Sequence, residues 1–411
     1  MSFESFGLAP NILRAIVEEG YTTPTPIQTD AIPHVMAGRD LLGVAQTGTG
    51  KTAAFALPMI HRLAANREKP GPRAPRALIL TPTRELAIQI DTSFKAYGRH
   101  MGLRTAVIFG GVGQGPQVDA VARGLDVLTA TPGRLLDLIG QRHIDLSKLS
   151  IFVLDEADRM LDMGFLPDVK RIIALIPKGR QSLFFSATMP PTIVELSNKI
   201  LSKPVHVEVT PQATTAEKVT QRVVYVDAIG KRELLVEVLN DERVKRALVF
   251  TRTKHGANRV VERLEKDGIA SSAIHGNKSQ GARQRALDGF RNGDIPVLVA
   301  TDIAARGIDV DGVTHVINYD IPVDAESYVH RIGRTARAGA SGMALSFCEL
   351  EEVPALRDIE KLIGQKIQVA SDKLGVTTGK VVVPTHKPPQ QRGGGGRGGG
   401  GGNRFSRGRG R

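Results

Sequence analysis

Two short stretches of the sequence combine residue types that handle phosphate chemistry. AQTGTGKT covers residues 45–52 and follows an apolar run, and IFVLDEADRM covers residues 151–160 and turns from apolar to acidic at Asp155. Glycines beside a lysine and a threonine are typical of a phosphate-binding loop, whose backbone N–H groups point at the phosphates. Acids after a strand can also cap a helix, so the second stretch alone leaves both interpretations open.

Together, the two stretches predict a nucleotide site with a magnesium ion. The loop departs from the G-x-x-x-x-G-K-[ST] pattern only at Ala45, which replaces the first glycine. We expect Thr52 and Asp155 to ligate Mg²⁺, and Glu156 to orient or deprotonate the attacking water. Lys51 is expected at the β- and γ-phosphates and belongs to the catalytic set. The loop residues expected to bind the nucleotide are Thr47, Gly48, Thr49, Gly50, Lys51 and Thr52.

The bulk composition predicts a globular chain with more than one domain. A length of 411 residues is too great for one core, and 41% apolar with 24% charged residues is ordinary for a soluble protein. No apolar run is long enough to cross a bilayer, and MSFESFGLAP has no features of a secretory signal. The single cysteine, Cys348, excludes an intramolecular disulfide and favours a reducing, cytoplasmic setting.

Apolar runs that alternate with helical patterns predict an α/β fold of parallel sheets covered by helices on both faces. Two stretches of the first half also resemble stretches of the second. LILTPTREL (78–86) matches LVFTRTKHG (248–256), and VLTATPGR (127–134) matches VLVATDIAARG (297–307). We therefore expect two domains of common plan, with the phosphate loop only in the first and ligands in the cleft between them.

Positive charge is concentrated at the carboxyl end of the chain. The net charge is +13, and nine Lys or Arg residues with no acid follow Asp372. Residues 393–411, GGGGRGGGGGNRFSRGRGR, have almost no apolar side chains and are expected to be disordered. We expect the arginines to contact nucleic-acid phosphate and Phe405 to stack on a base, while a passive solubilising tail is the alternative.

The motifs and their order resemble those of the DEAD-box ATP-dependent RNA helicases. Besides AQTGTGKT they are GYTTPTPIQ (20–28), PTRELA (82–87), TPGR (131–134), DEAD (155–158), SAT (186–188), ARGID (305–309) and HRIGRTAR (330–337). The short Gly/Arg tail is most similar to that of the bacterial RhlE-type subgroup. The resemblance implies two tandem RecA-like domains. The expected boundaries are 1–30 for an adenine-recognition (Q motif) segment, 31–207 for RecA-like domain 1, 208–218 for a linker, 219–372 for RecA-like domain 2 and 373–411 for a disordered Arg/Gly-rich tail.

In the first half, the resemblance implies an adenine site and a coupling site. Gln28 would pair with the adenine edge, for which a carboxamide is suited. Phe3 would stack on the base, although an ordinary core position is equally compatible with the sequence. Ser186 and Thr188 would hydrogen-bond Asp158 and link the ATP state to domain closure, the alternative being turn chemistry at a strand end.

In the second half, the resemblance implies arginine fingers that reach the γ-phosphate from across the cleft. Arg334 and Arg337 are the expected fingers, and Arg331 is expected to be structural. Asp309 would accept hydrogen bonds from the ribose hydroxyls. His330 is either an interdomain contact or a satisfied histidine of the cleft. The family more often has glycine at Ala336, which puts the local backbone geometry in doubt.

The resemblance places RNA contacts at loop ends of both halves, where amides, hydroxyls and arginines contact phosphate and sugar and not bases. Aromatic residues are only 4% and Trp is absent, which favours sequence-independent binding, with RNA selected through its 2′-OH groups. Asp302 is acidic and is expected to orient a neighbouring group. The expected RNA-binding residues are Thr83, Arg84, Gly110, Gly111, Thr131, Gly133, Arg134, Thr253, Gly276, Gln280, Arg283 and Thr301.

The implied function is RNA-stimulated ATP hydrolysis coupled to local unwinding of short RNA duplexes or to remodelling of RNA–protein complexes. ATP is the expected substrate with Mg²⁺, and RNA the expected partner, with ribosome-assembly or RNA-decay proteins beside it and no membrane. An ATP-gated RNA clamp would carry the same motifs. Passive annealing of RNA by the tail is a third hypothesis, and a DNA-translocating helicase agrees less well with the resemblance.

Overall fold

The chain forms two sheets in the computed structural model, which describes residues 2–46, 48–66, 68–209, 219–305, 310, 312–336 and 342–378. Within these residues each sheet has seven strands, and every pairing is parallel. The first sheet contains β1 Leu41–Val44, β2 Pro75–Leu80, β3 Thr105–Ile108, β4 Leu125–Ala130, β5 Ile151–Leu154, β6 Gln181–Ser186 and β7 Val205–Glu208. The second contains β8 Val219–Tyr225, β9 Ala247–Phe250, β10 Ser271–Ile274, β11 Val297–Ala300, β12 His315–Asn318, β13 Gly342–Cys348 and β14 Gln368–Asp372.

Helices connect the strands and cover both faces of each sheet. Those of the first domain are α1 Pro10–Glu18, α2 Pro26–Met36, α3 Lys51–Ala65, α4 Arg84–Tyr97, α5 Gly115–Ala122, α6 Pro132–Gly140, α7 Ala157–Asp162, α8 Leu166–Ile173 and α9 Pro191–Ile200. Those of the second are α10 Gly230–Leu239, α11 Lys254–Lys266, α12 Gln280–Asn292, α13 Asp302–Ala305, α14 Ala325–Ile332 and α15 Val353–Ile363. Two 3₁₀ turns, Phe3–Phe6 and Leu350–Glu352, complete these elements.

The central strand β5 shows why its own sequence is apolar throughout. Phe152 and Leu154 pack into one core, with residues of α6, α8 and α9. Val153 points the other way, into a core with residues of α2, α3 and α4. Alternate side chains of a strand face opposite sides of the sheet, so a central strand covered on both faces favours apolar residues at successive positions. The predicted α/β fold is confirmed.

The two sheets share one strand order. It is β3-β4-β2-β5-β6-β1-β7 in the first and β10-β11-β9-β12-β13-β8-β14 in the second. The strands of the matched stretches, β2 with β9 and β4 with β11, therefore occupy equivalent places. Even the helix caps agree, since the hydroxyl of Thr83 accepts the N–H of Leu86 at 3.3 Å and that of Thr253 accepts the N–H of Gly256 at 2.9 Å. Two domains of common plan are confirmed.

Three details differ from the expected boundaries. Strand β7 pairs with β1 as far as Glu208, one residue into the expected linker. Residues 1–30 are not separate, because helix α2 crosses that limit and Ile27 lies in the same core as β1. The tail does not begin at residue 373, because the carboxylate of Asp372 accepts the N–H groups of Leu374, Gly375, Val376 and Thr377. Residues 379–411, with Phe405, lie outside the described residues.

Candidate nucleotide and RNA site

The phosphate loop connects β1 to the first residue of α3, Lys51. Gly50 has a φ of 93°, and a Cβ there would lie 2.5 Å from the Nε2 atom of Gln28, so the position requires glycine. The buried ammonium of Lys51 donates to the carbonyl of Ala45 at 2.6 Å. The hydroxyl of Thr49 donates to the carbonyl of Gln46 at 2.8 Å. The lysine therefore binds the backbone of its own loop.

The acidic run follows β5 directly, as the sequence predicts. Asp155 is almost fully buried, and its Oδ1 accepts the N–H of Glu156 at 3.0 Å. Burial raises the pKa of Asp155 to about 7, against the attraction of the nearby Lys51 ammonium. A carboxylate buried so far from water is stabilised by a cation bound beside it.

Glu156 is the N-cap residue of helix α7 and has a left-handed conformation, with a φ of 54°. A non-glycine residue in this region is strained and is often found at a functional site. Its carboxylate lies 2.7 Å from the guanidinium of Arg159, and both side chains are buried. Arg159 is thus part of the site, although the sequence analysis gave it no role. Its position three residues after Glu156, on the same helix turn, was the available signal.

Asp158 is bound to the end of β6 through several hydrogen bonds. Its Oδ2 accepts the hydroxyl of Thr188 at 3.1 Å and the N–H groups of Thr188 and Ala187 at 2.9 and 3.1 Å. The hydroxyl of Ser186 accepts the backbone N–H of Asp158 at 3.2 Å. The expected contact between SAT and Asp158 is therefore present, while its coupling role stays a prediction.

The adenine-recognition segment lies against the phosphate loop. Gln28 accepts the N–H of Thr25 at 3.0 Å and donates to the carbonyl of Gly50 at 3.2 Å, so its carboxamide joins helix α2 to the loop. Phe3 is only 3% exposed and packs against Phe6 in the core of the first domain. In this conformation Phe3 is a core residue, and the stacking role expected for it stays a prediction.

A cavity of about 470 Å³ joins these residues into one site. Tyr21, which the sequence analysis did not single out, lines it, whereas Phe3 does not. Thr52 and Asp155 both line this cavity, and their hydroxyl and carboxylate oxygens are hard donors of the kind that suits Mg²⁺. The other lining residues include Gln28, Gly48, Gly50, Lys51, Glu156, Gln89, Thr92, Ser93, Tyr97 and, from the second domain, Arg291.

The described part of the chain has no group of three or more His, Cys, Asp or Glu side chains that could hold a metal ion by themselves. Mg²⁺ usually keeps several waters and is bound by one or two protein groups together with substrate phosphates. Thr52 and Asp155 agree with such a partial site. The ion itself stays a prediction.

The arginine motif of the second domain is held within that domain. Arg331 binds the carboxylate of Asp302 through Nε and Nη2 at 2.5 and 2.8 Å and lies over the ring of Phe250. This ion pair agrees with the structural role expected for Arg331 and the orienting role expected for Asp302, and both roles stay predictions. Ala336 has a φ of 55°, a left-handed conformation that glycine adopts more easily, so the expected effect on local geometry is present.

The expected arginine finger contact is not made in this conformation. Arg334 is buried in the second domain, and its Nε donates to the carbonyl of His330 at 3.3 Å. Neither residue lines the nucleotide cavity, because both lie beside Arg331 and Asp302. The roles of Arg334 and His330 stay predictions. Those of Thr47, Asp309 and Arg337 fall on residues outside the described part of the chain.

The RNA-binding residues expected in the first domain lie together at the carboxyl edge of its sheet. Gly111 has a φ of 78°, a left-handed conformation that explains the glycine there, and the guanidinium of Arg84 lies against it. Arg134 donates to the carbonyl of Val112 at 3.1 Å and so joins the TPGR turn to the loop that contains Gly111. Thr83 precedes α4, and Thr131 precedes α6. Gly110 is next to Gly111 in the chain, and Gly133 is next to Arg134.

The RNA-binding residues expected in the second domain lie at the same edge of the second sheet. Thr253, Gly276 and Thr301 follow the adjacent strands β9, β10 and β11. Gln280 and Arg283 begin helix α12 and contact the first domain.

Contacts between the two domains join residues of both RNA-binding sets. Arg84 donates to Gln280 at 3.3 Å, and Arg283 lies 2.8 Å from the carboxylate of Glu85. The side chains of Arg283 and Glu85 are only 12% and 3% exposed. Burial, together with the positive charge of the neighbouring Arg283, lowers the pKa of Arg84. Positive charge is therefore concentrated around Arg84. The sequence analysis missed Glu85 because its partner is remote in sequence.

The second domain contains a topological counterpart of the phosphate loop, which the sequence analysis did not find. Strand β8 has the place of β1, and Gly230–Lys231 begins α10 as Gly50–Lys51 precedes and begins α3. Lys231 is 1% exposed and lies 2.7, 2.9 and 3.5 Å from the carboxylates of Glu349, Glu352 and Asp320. Carboxylates of the chain thus surround Lys231, whereas Lys51 of the first domain has a backbone carbonyl as its partner.

A phosphate loop and an acidic strand end, set in one of two tandem RecA-like domains, define a P-loop protein with a helicase-type core. The chain belongs to the DEAD-box helicase family. Residues 25–196 match the family model described as "DEAD/DEAH box helicase", and residues 230–339 match the "Helicase conserved C-terminal domain".

Named relatives agree with this assignment. The chain is 42% identical over 368 residues to the DEAD-box ATP-dependent RNA helicase RhpA of Helicobacter pylori. The matched region covers 90% of this chain and 74% of RhpA. It is 45% identical over 370 residues to the ATP-dependent RNA helicase DeaD of Mycobacterium tuberculosis, covering 90% of this chain. The chain spans only 64% of the length of that DeaD and 57% of the DeaD of Escherichia coli.

Solved structures show the same two-domain fold. Saccharomyces cerevisiae Dbp5 bound to RNA and ADP-BeF3 superimposes with a TM-score of 0.78 at 32% identity, covering 92% of this chain and 97% of Dbp5. A DEAD box protein of Methanococcus jannaschii gives a TM-score of 0.53 at 37% identity, covering 90% and 99%. No helix in the described ranges is long and apolar enough to cross a membrane.

Proposed function

We propose that this chain is an ATP-dependent RNA helicase, in which RNA-stimulated ATP hydrolysis drives local, sequence-independent unwinding of short RNA duplexes or remodelling of RNA–protein complexes. The observation that carries the proposal is the division of the site between two domains. The phosphate loop and the acids lie in the first domain. Arg84 and Gln280, both expected to bind RNA, meet across the interface, and Arg283 of the second expected set pairs there with Glu85. RNA bound there would contact both domains at once.

The residues of the first domain supply the nucleotide chemistry in this proposal. Lys51, whose ammonium donates to the carbonyl of Ala45, would bind the β- and γ-phosphates of ATP instead. Thr52 and Asp155 hold Mg²⁺, which neutralises phosphate charge when bound. Glu156 orients the attacking water or accepts its proton, and Gln28 recognises adenine.

The second domain completes the site by closure. Arg334 and Arg337 would approach the γ-phosphate, and Asp309 the ribose, once ATP and RNA bring the domains together. Asp158, Ser186, Thr188 and His330 link the nucleotide state to this movement. A closed pair of domains that bends one RNA strand cannot leave the complementary strand paired, so closure separates the duplex. Hydrolysis and product release reopen the cleft.

Steady-state ATPase and strand-displacement assays on one protein preparation test the proposal. Wild-type chain should hydrolyse ATP faster with single-stranded RNA and displace a strand from a short duplex. Glu156→Gln and Arg337→Ala should each lose RNA-stimulated turnover. Wild-type-like turnover in either variant would contradict the role of that residue. Tight ATP-dependent RNA binding without strand displacement would instead indicate an ATP-gated clamp.

Finer features of the function are part of the proposal. The short Gly/Arg tail supports the RhlE-type subgroup, and a chain lacking residues 388–411 should keep its RNA-stimulated ATPase while losing any RNA annealing. We propose a cytoplasmic location, with ribosome-assembly or RNA-decay proteins as partners. Crosslinking in cells, followed by sequencing of the bound RNA, distinguishes these two settings: ribosomal RNA precursors would favour assembly, and messenger fragments would favour decay.

A further inference from the structure

Helix α12 approaches the first domain at both of its ends. At its start, Gln280 accepts from Arg84 at 3.3 Å and Arg283 pairs with Glu85 at 2.8 Å. Near its end, Arg291 lines the nucleotide cavity together with Lys51 of the phosphate loop. Among the described residues of the second domain, Arg291 is the one that lines this cavity.

Helical geometry explains how one element reaches both places. Gln280 and Arg291 are eleven residues apart, which is about three turns and about 16 Å along the axis, so they lie on the same side of the helix. The Arg283–Glu85 pair is nearly buried and fixes the start of the helix against the first domain. Arg291 then faces the cavity as a consequence.

The backbone of Arg291 is fixed, while its side chain is held only weakly. Arg246 lies over the ring of Phe290, at 5.8 Å from the ring centroid, and donates to the carbonyl of Arg291 at 3.2 Å. The guanidinium of Arg291 is one-third exposed, and its ion pair with Asp288 on the same helix is long, at 3.7 Å. Such a partly exposed pair contributes little, so the guanidinium can move to a stronger anion.

A cation from the second domain would add to the positive charge available to a nucleotide in this cavity. Two of its lining residues, Asp155 and Glu156, are acids, and the Lys51 ammonium is initially bound to the Ala45 carbonyl. ATP brings several further negative charges. Arg334, the expected finger, is buried elsewhere in this conformation.

We propose that Arg291 binds the phosphates of incoming ATP before the domains close and before the arginines of HRIGRTAR reach them. This inference rests on the proposed ATPase function and adds a binding residue to it. It also gives helix α12 a second role, because the same rigid element carries RNA-contact residues at one end and a nucleotide contact at the other.

The test compares Arg291→Ala with Arg285→Ala, which removes an exposed arginine of the same helix that does not line the cavity. In RNA-stimulated steady-state assays at low ionic strength, Arg291→Ala should raise KM for ATP about fivefold and change kcat less than about twofold. The difference should shrink at about 0.5 M salt, where the Debye length is only a few ångströms. Arg291→Lys should retain most of the affinity, and all variants should melt as wild type does.

A KM for Arg291→Ala equal to that of Arg285→Ala overturns the inference. So does a fall in kcat at unchanged KM, since that would place Arg291 in the transition state. Equilibrium binding of a fluorescent ADP without RNA keeps the test independent of turnover. Weaker binding by Arg291→Ala supports the inference and equal binding contradicts it, even if wild-type chain shows no RNA-stimulated hydrolysis and the proposed function fails.

Discussion

Lys51 and Lys231 occupy equivalent places in the two domains, and we predict that replacing each with methionine has opposite consequences. Lys51 faces the open nucleotide cavity and binds one backbone carbonyl. Lys231 is buried among three carboxylates, at 2.7, 2.9 and 3.5 Å. Lys51→Met should abolish ATP binding and leave stability nearly unchanged. Lys231→Met should destabilise the second domain and leave the nucleotide cavity intact.

The contacts around Lys231 set the size of the effect. Removing one partner of a buried charge cluster lowers the free energy of unfolding by about 3–5 kcal/mol. Burial lowers the pKa of Lys231, but the attraction of Glu352 and its neighbours outweighs burial and raises it, so the ammonium stays charged. Glu352 keeps Arg252 and two backbone N–H groups as partners in the variant. We therefore expect the lower end of the range, about 3 kcal/mol.

Differential scanning calorimetry of the full chain measures this effect, with the first domain as an internal reference. For a domain of this size, a loss of about 3 kcal/mol lowers Tm by roughly 10 °C. The double variant with Lys231→Met and Glu349→Gln should have a higher Tm than Lys231→Met alone, because the second substitution removes one uncompensated negative charge. Unchanged melting of Lys231→Met, or equal destabilisation by Lys51→Met, would refute the assignment of structural and ligand-binding roles to the two lysines.

Three further predictions concern contacts of the site. Glu85→Gln and Arg283→Gln should each lower RNA-stimulated kcat/KM, because each removes the same interdomain pair. The double variant should therefore be no worse than the more impaired single variant. Additive losses in ATPase assays would contradict a shared contact. For Arg159→Met and Glu156→Gln, a double-mutant cycle in urea unfolding should give a coupling of about 1–3 kcal/mol, and a coupling near zero would exclude the buried pair. Ala336→Gly should raise the free energy of unfolding of the second domain by about 0.5–1 kcal/mol through relief of the positive φ, and a loss of stability in the same measurement would show that the alanine methyl contributes more.

The fold could be predicted from the sequence because burial on both faces marks the central strands as continuous apolar runs. IFVL follows this rule, and QSLFFS follows it through its central LFF, with every side chain buried in both strands. In the edge strands β3 and β10, TAVI has one polar residue and SSAI has two, and half of the residues of each strand are only partly buried. Their places follow from the shared strand order, which depends on pairing between distant segments.

The local part of the site could also be predicted, because its residues are close in sequence. Asp155, Glu156 and Asp158 lie where the motif placed them, at the end of β5 and the start of α7. The partner of Glu156, Arg159, was missed because the pair depends on the left-handed turn at Glu156.

Long-range contacts could not be predicted from spacing. The Arg283–Glu85 pair joins residues nearly two hundred positions apart, and Arg291 reaches the cavity only through the docking of α12. Lys231 was hidden because its loop lacks the glycines of AQTGTGKT, and only the place of β8 in the second sheet identifies it. The finger role expected for Arg334 requires a domain movement, and the spacing of residues in the sequence does not describe that movement.

The central claim is that one nucleotide site, built in the first domain, is controlled by RNA bound across both domains. The most direct test is the ATPase rate of wild-type chain and Glu156→Gln at saturating ATP, with and without single-stranded RNA, together with ATP binding by both. We predict RNA-stimulated turnover for wild type, and no stimulated turnover but retained ATP binding for Glu156→Gln. Turnover that does not respond to RNA, or a Glu156→Gln variant as active as wild type, would contradict this account.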